Sequence, residues 1–126
     1  MIVDAEHIYM QPAIDAIALE AQRRVNRGRA VVLNTYQCYL KSTPGRLAGD
    51  QSLAAQQDWT FGGKLVRGAY LVHEVEQAQA QGLARPVHDS LQDTHACFDR
   101  WASVLHKVLF QPPSHVPPSL PQYESL

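Results

Sequence analysis

The chain has 126 residues, enough for one modest hydrophobic core and too few for two. At 45% hydrophobic and 18% charged, with a net charge of -1, it has the balance of an ordinary globular protein and no electrostatic footprint for nucleic acid. No apolar run approaches the roughly 20 residues of a bilayer span, and the opening "MIVDAEHIYM" carries acids where a targeting segment would carry bases. Cys38 and Cys97 lack CxxC spacing and suit reduced thiols in an intracellular setting.

In chain order, "IVDAE" is a short apolar run that ends in carboxylates, the mark of a strand reaching an open end. "QPAIDAIALEAQRRVNRG" follows as a helix: Ile14, Ile17, Ala21 and Val25 fall on one face, Pro12 suits a first turn and Gly28 a stop. "AVVLNTYQCYL" is β-branched and aromatic and predicts a second strand, and "STPGRLAGDQSLAAQQDW" a weaker helix containing Leu47, Leu53 and Ala54. "GGKLVRGAYL" predicts a third strand, after which "VHEVEQAQAQG" is helical until Pro86 breaks it. Leu91, His95, Phe98, Trp101, Leu105 and Val108 then mark an amphipathic helix. From Gln111 the text becomes "QPPSHVPPSLPQYESL", an aperiodic proline-rich tail expected to be irregular.

Strands alternating with helices predict a parallel sheet covered by helices, as in an open α/β sheet or a (β/α)₈ barrel. A (β/α)₈ barrel takes about 250 residues, so on that reading the chain is a partial barrel of about three β-α units. The expected division is 1–110 for this domain and 111–126 for the tail.

Strands of a parallel sheet are covered on both faces, so ionic residues in them need partners or an open end. Here every predicted strand carries polar exceptions: Asp4 and Glu6, then Asn34 and Gln37, then Lys64 and Arg67. Alternation puts Asp4 and Glu6 on one face, and Lys64 and Arg67 on opposite faces unless the strand ends or bulges between them. A structural ionic cluster accounts for one such charge about as well as a site does. Acids, amides and cations near the ends of three successive strands favour a site, because α/β folds build theirs at the carboxyl ends of strands. Gly68 adds to this, since glycine in a strand often marks close approach of a ligand. The residues alone therefore indicate a site for an anionic or electron-accepting ligand.

Other chemistries find no support. "FGGKLVRG" is neither a dinucleotide fingerprint nor a P-loop, and no GxSxG elbow is present. The six histidines, His7, His73, His88, His95, His106 and His115, show no paired-ligand spacing, so no metal is expected. Met10 and Trp101 read as core packing, and "QRRVNRGR" as cations that offset a helix dipole.

"VDAEHIYMQPAI", "NTYQCYLK" and "KLVRGAYLVHE" together resemble the motifs of the proline dehydrogenase family, in its mitochondrial eukaryotic branch. The resemblance covers Ile2 to about Glu74 and continues more weakly to about Leu105. It implies the fourth to sixth segments of a distorted (β/α)₈ barrel that binds FAD and oxidises L-proline to Δ1-pyrroline-5-carboxylate. Hydride would pass to flavin N5 and electrons on to a membrane quinone, on the matrix side of the mitochondrial inner membrane. By resemblance, Lys64 is the cation beside flavin N5, Arg67 and Gly68 bind the cofactor, and Gln37 hydrogen-bonds the isoalloxazine. Asp4 would act at the substrate end, with Ala69 and Tyr70 walling the proline ring.

Nothing from Val72 to Leu126 matches the family's later tyrosine region or the paired arginine that clamps the substrate carboxylate. An incomplete, weakly active or inactive barrel is therefore expected, with open strand edges able to pair with a second copy or a full-length subunit. That pairing would make a non-catalytic role the alternative from another class. Within the enzyme class the alternative is a hydroxyproline dehydrogenase, whose motifs are similar; the tyrosine in "NTYQCYL" and the glutamine before Pro12 lean towards proline.

Overall fold

The computed structural model describes residues 1–109, with side chains through His106. Three strands and four helices follow along the chain, alternating up to α3: β1 (Ile2–Val3), α1 (Gln11–Val25), β2 (Leu33–Gln37), α2 (Thr43–Gln56), β3 (Gly63–Val66), α3 (Leu71–Ala80) and α4 (Leu91–Leu109). The strands form one parallel sheet in the order β1-β2-β3, in the predicted alternation with helices. The expected tail and its boundary at residue 111 lie outside the described residues.

Register decides which side chains share a face. Thr35 pairs with Lys64 and Gln37 with Val66, while Tyr36 pairs with Leu65 on the other face. On that second face α1 and α2 pack against β2, and α4 against β3. Tyr36, Cys38, Leu47, Ala54, Trp59, Phe61, Cys97 and Trp101 are buried together there as the main core. A smaller cluster of Tyr39, Leu40 and Val87, joined by Ile8 and Val75, closes the carboxyl end of the sheet.

The predicted apolar face of α1 is not its buried face. Gln11, Ala18 and Gln22 are buried, whereas Ile17 is 70% exposed and Val25 49% exposed. Satisfaction of backbone polar groups outweighs hydrophobicity at this contact. Gln22 Nε2 donates to the Gly62 carbonyl at 2.8 Å, and the Gly62 N–H donates back to Gln22 Oε1 at 3.0 Å, fixing the approach to β3. Asn26, fully buried where α1 ends, donates to the carbonyls of Val32 and Thr60, both at 2.9 Å. Its Oδ1 accepts from the N–H groups of Val31 at 3.0 Å and Val32 at 2.9 Å. One amide thus joins a helix end, the start of β2 and the turn before β3. α1 stops at Val25, and Gly28, at φ +72°, lies in the turn beyond it.

Further departures from expectation are local. β1 and β2 are shorter than the apolar runs suggested, leaving Asp4 and Glu6 beyond β1 and "CYL" beyond β2. Trp101 is core as expected, but Met10 is 43% exposed, because it precedes the first turn of α1 instead of pointing inward. Arg23 and Arg24, in the last turn of α1, both also bind Glu20, whose carboxyl they hold down at a pKa of about 2.

Two outcomes follow from this packing. Replacing Asn26 with alanine strands four backbone groups at once and is expected to cost about 3 kcal/mol or more in urea unfolding; a change of only a few tenths would show that the junction is held otherwise. Burial, with Cys97 alongside, pushes the Cys38 thiol up to about 12, and burial raises Cys97 as well. In mildly alkaline buffer nearly all of both thiols stay protonated, so iodoacetamide should label neither cysteine in the folded chain and both in concentrated urea. Rapid labelling of the folded chain would contradict the burial.

Candidate functional site

The face opposite the core lines an open cleft of about 460 Å³ at the carboxyl ends of the strands. Asp4, Ala5 and Glu6 follow β1, Thr35 and Gln37 lie on β2, Lys64 and Val66 on β3, and Arg67 to Tyr70 follow β3. All seven sequence-predicted site residues, Asp4, Gln37, Lys64, Arg67, Gly68, Ala69 and Tyr70, line this one cleft. β3 ends at Val66, so Lys64 projects from the sheet face and Arg67 from the loop beyond it. This resolves how two cations three residues apart reach the same cavity.

Gln37 holds the cleft together. Its side chain is 2% exposed, its Nε2 donates to the Glu6 carbonyl at 3.0 Å, and its Oε1 accepts from the Ala69 N–H at 3.3 Å. The loops after β1 and β3 are thereby tied to the end of β2. One amide hydrogen and one acceptor lone pair of Gln37 remain for other bonds. Asn34, the other amide of β2, points the opposite way and donates to Asp15 Oδ1 at 2.9 Å, so its task is to seat α1.

The charges in the cleft are arranged in pairs. Lys64 Nζ lies 2.9 Å from Asp4 Oδ1, both groups being well exposed. Such a pair contributes about 1 kcal/mol or less to stability, and its consequence is mainly to aim the ammonium. Tyr70 donates to Glu6 Oε2 at 3.4 Å, and the Glu6 carboxylate raises the phenol above its ordinary pKa, keeping it a donor. Thr35, next to Lys64 in register, is 2% exposed, and its Oγ1 finds no partner among the described residues. A buried hydroxyl without a partner is costly and suits a site that receives a polar ligand.

Gly68 is required here by a contact inside the protein. At φ +138° a Cβ would lie 2.1 Å from the Tyr39 ring, so glycine admits the Tyr39 side chain beneath the loop. The sequence predicts close approach of a ligand at this glycine; in the structure Gly68 lies just beyond β3 and the group that approaches it is the Tyr39 ring. Tyr39 itself is 3% exposed, and burial pushes its phenol up to about 12.

Tyr70 is also braced from behind. The His7 ring lies 4.0 Å from the Tyr70 ring and 4.4 Å from that of His73, and buried Glu74 accepts the Ile8 N–H at 2.8 Å. Among the described residues no cluster of three or more His, Cys, Asp or Glu could hold a metal ion.

Sequence reasoning passed over Thr35 and the bracing residues. Thr35 was open to detection, since it alternates with Gln37 on the same face as Lys64. His7 and Glu74, 67 positions apart in the chain, meet only through tertiary packing, with His7 Nδ1 3.6 Å from Glu74 Oε1.

Comparison with known proteins identifies the family. The sequence model of the family described as Proline dehydrogenase matches residues 1–118. "Proline dehydrogenase 1, mitochondrial" of Caenorhabditis elegans is 40% identical over 111 residues, covering 85% of this chain and 18% of that protein. The human protein of the same name is 43% identical over 100 residues, covering 79% of this chain and 17% of its own length. The chain therefore spans less than a fifth of the length of these two relatives. Proline utilization A from Bdellovibrio bacteriovorus superimposes with a TM-score of 0.77 over 86% of this chain and 11% of that one; at 19% identity, this shows likeness of fold. The chain belongs to the proline dehydrogenase family.

Proposed function

We propose that the cleft is part of a flavin site at which L-proline is oxidised to Δ1-pyrroline-5-carboxylate. The observation that carries this reading is the convergence of Lys64, Arg67, Gln37 and the unpartnered Thr35 hydroxyl on one cavity at the carboxyl ends of parallel strands. Family membership gives that convergence its chemistry. The β-α units are then a segment of a (β/α)₈ barrel, with the cleft on the inside of the sheet and the helices outside.

The donor set fits FAD. Lys64 and Arg67 offer cations, Gln37 a spare amide N–H, and Thr35 a hydroxyl, toward a polar ligand that becomes more negative on reduction. FAD bound here would accept hydride from the substrate carbon beside the ring nitrogen. The nitrogen loses its proton to solvent, so two electrons and two hydrogens leave proline in balance.

The chain's own residues supply the rest. Lys64, aimed by Asp4, stabilises negative charge that develops at the cofactor during transfer, a contribution preorganised before reaction. Asp4, 76% exposed at the mouth, faces the end where a cationic amine enters. Ala69 and the Tyr70 ring form an apolar wall for the five-membered ring, and Glu6 fixes the tilt of Tyr70 through its hydroxyl. The reduced site would pass its electrons to a quinone, in the mitochondrial setting that the relatives' names state. No helix among the described residues is long and apolar enough to cross a membrane.

Among the described residues β1 and β3 pair only with β2, which leaves the outer side of each strand open. A second copy or a longer subunit pairing there would extend the sheet and deepen the cleft.

The test is gel filtration of the chain with FAD, followed by addition of L-proline. Co-eluting flavin that bleaches slowly with L-proline, as suits an incomplete barrel, is expected, faster than with hydroxyproline, and elution at twice the chain mass would support edge pairing. Lys64→Ala should slow bleaching about 100-fold. Flavin that elutes apart from the protein would end this reading, and faster bleaching by hydroxyproline would transfer it to the hydroxylated substrate.

A further inference from the structure

We infer that His95, on α4, is a positioning residue that holds the Arg67 guanidinium ready for the cofactor; this rests on the flavin reading of the cleft. Arg67 Nε donates to His95 Nδ1 at 2.8 Å, and its Cζ lies 4.3 Å from the centroid of the Phe98 ring. His95 and Phe98 are three residues apart on one helix, so they meet the same guanidinium, one at its edge and the other at its face. α4 is itself fixed, because Cys97 and Trp101 are buried in the main core and Phe98 packs against it.

The chemistry of the contact is specific. A ring nitrogen that accepts a hydrogen bond carries no proton, so His95 here is neutral, with its proton on Nε2. The contact therefore leaves the Arg67 charge without an opposing one, whereas the charge of Lys64 is offset by the Asp4 carboxylate. Among the described residues only Nε is used, which leaves the four N–H groups of the two terminal nitrogens for an anionic ligand. Arg67 is exposed, and an exposed arginine that is not held samples many rotamers. Holding it beforehand removes an ordering cost from binding.

Arg67 also borders a second cavity of about 260 Å³, whose lining includes Arg85, His88, Ser90 and Thr94. The guanidinium thus stands between the strand-end cleft and the start of α4, where a clamp can act on a ligand reaching across both.

Two variants test the role in the whole chain. In His95→Asn an amide oxygen can take the place of Nδ1 as acceptor, and in His95→Leu no acceptor remains. FAD affinity is read from quenching of flavin fluorescence, and the Arg67 Nε–H resonance is followed by NMR without flavin. His95→Leu is expected to weaken FAD binding about tenfold and to speed Nε–H exchange, and His95→Asn to stay within about threefold of the unaltered chain. Thermal midpoints should stay alike in all three.

Equal affinity in the unaltered and leucine chains would overturn the positioning role, as would equal losses in both variants. If the unaltered chain takes up no FAD, the flavin reading falls, and with it the purpose given to His95. Exchange of the Nε–H then decides the contact alone: slow only when an acceptor stands at 95 supports it, and indifference to residue 95 overturns it.

Discussion

The hydrogen bonds of the Gln37 side chain are the constraint on which the cleft depends. β2 and β3 end level, Gln37 opposite Val66, while β1 ends earlier at Val3, opposite Asn34; the loops beyond them move unless something gathers them. Gln37 gathers two, accepting a hydrogen bond from the Ala69 N–H and donating one to the Glu6 carbonyl from a position almost shielded from water. The Lys64 to Asp4 pair and the Tyr70 to Glu6 bond then span loops whose spacing is already set. Both are exposed or long contacts that could not set it themselves. The order of causation runs from a buried neutral amide to exposed charges.

A similar device works at the opposite end of the sheet. Gln22 and Asn26 spend their amides on the backbone around Gly62, Val32 and Thr60, so the amino ends of β2 and β3 are pinned to α1. This explains why α1 turns glutamines inward and leaves Ile17 outside. A hydrophobic residue at 22 or 26 would bury more apolar area but leave paired donors and acceptors stranded, and an unmade buried bond costs more than a methylene gains. Amides thus fix both ends of β2, and the apolar core between them supplies the bulk of the stabilisation.

Much of this was legible in the sequence, and the limits have physical causes. Alternating β-branched and helical stretches gave the element order, because periodicities of 2 and 3.6 are local properties. The polar exceptions at strand ends identified the cleft residues, since charge in a parallel strand needs a reason. What failed was the inward face of α1: periodicity counts apolar residues and cannot see that Gly62, 40 positions away, needs both hydrogen bonds of Gln22. The partner of Gly68 was equally invisible, since nothing local shows that the Tyr39 ring lies under it. His95 fell on the predicted amphipathic helix, and only the fold brings it to Arg67.

The two cations of the cleft, read together in the sequence, are separated by the structure in their electrostatics. The charge of Lys64 is offset by that of Asp4, so the pair presents little net field to a distant ligand and acts at short range through the ammonium hydrogens. Arg67 leans on a neutral imidazole and an aromatic face, neither of which cancels its charge. Glu6, engaged with the Tyr70 hydroxyl, adds negative potential at the far side of the same cavity. The cleft is therefore polarised, positive toward α4 and negative toward the loop after β1. A ligand with an anionic end and a partner with a cationic amine would be sorted to opposite sides before any contact forms, which is the separation that a site for an anionic cofactor and an amino-acid substrate requires.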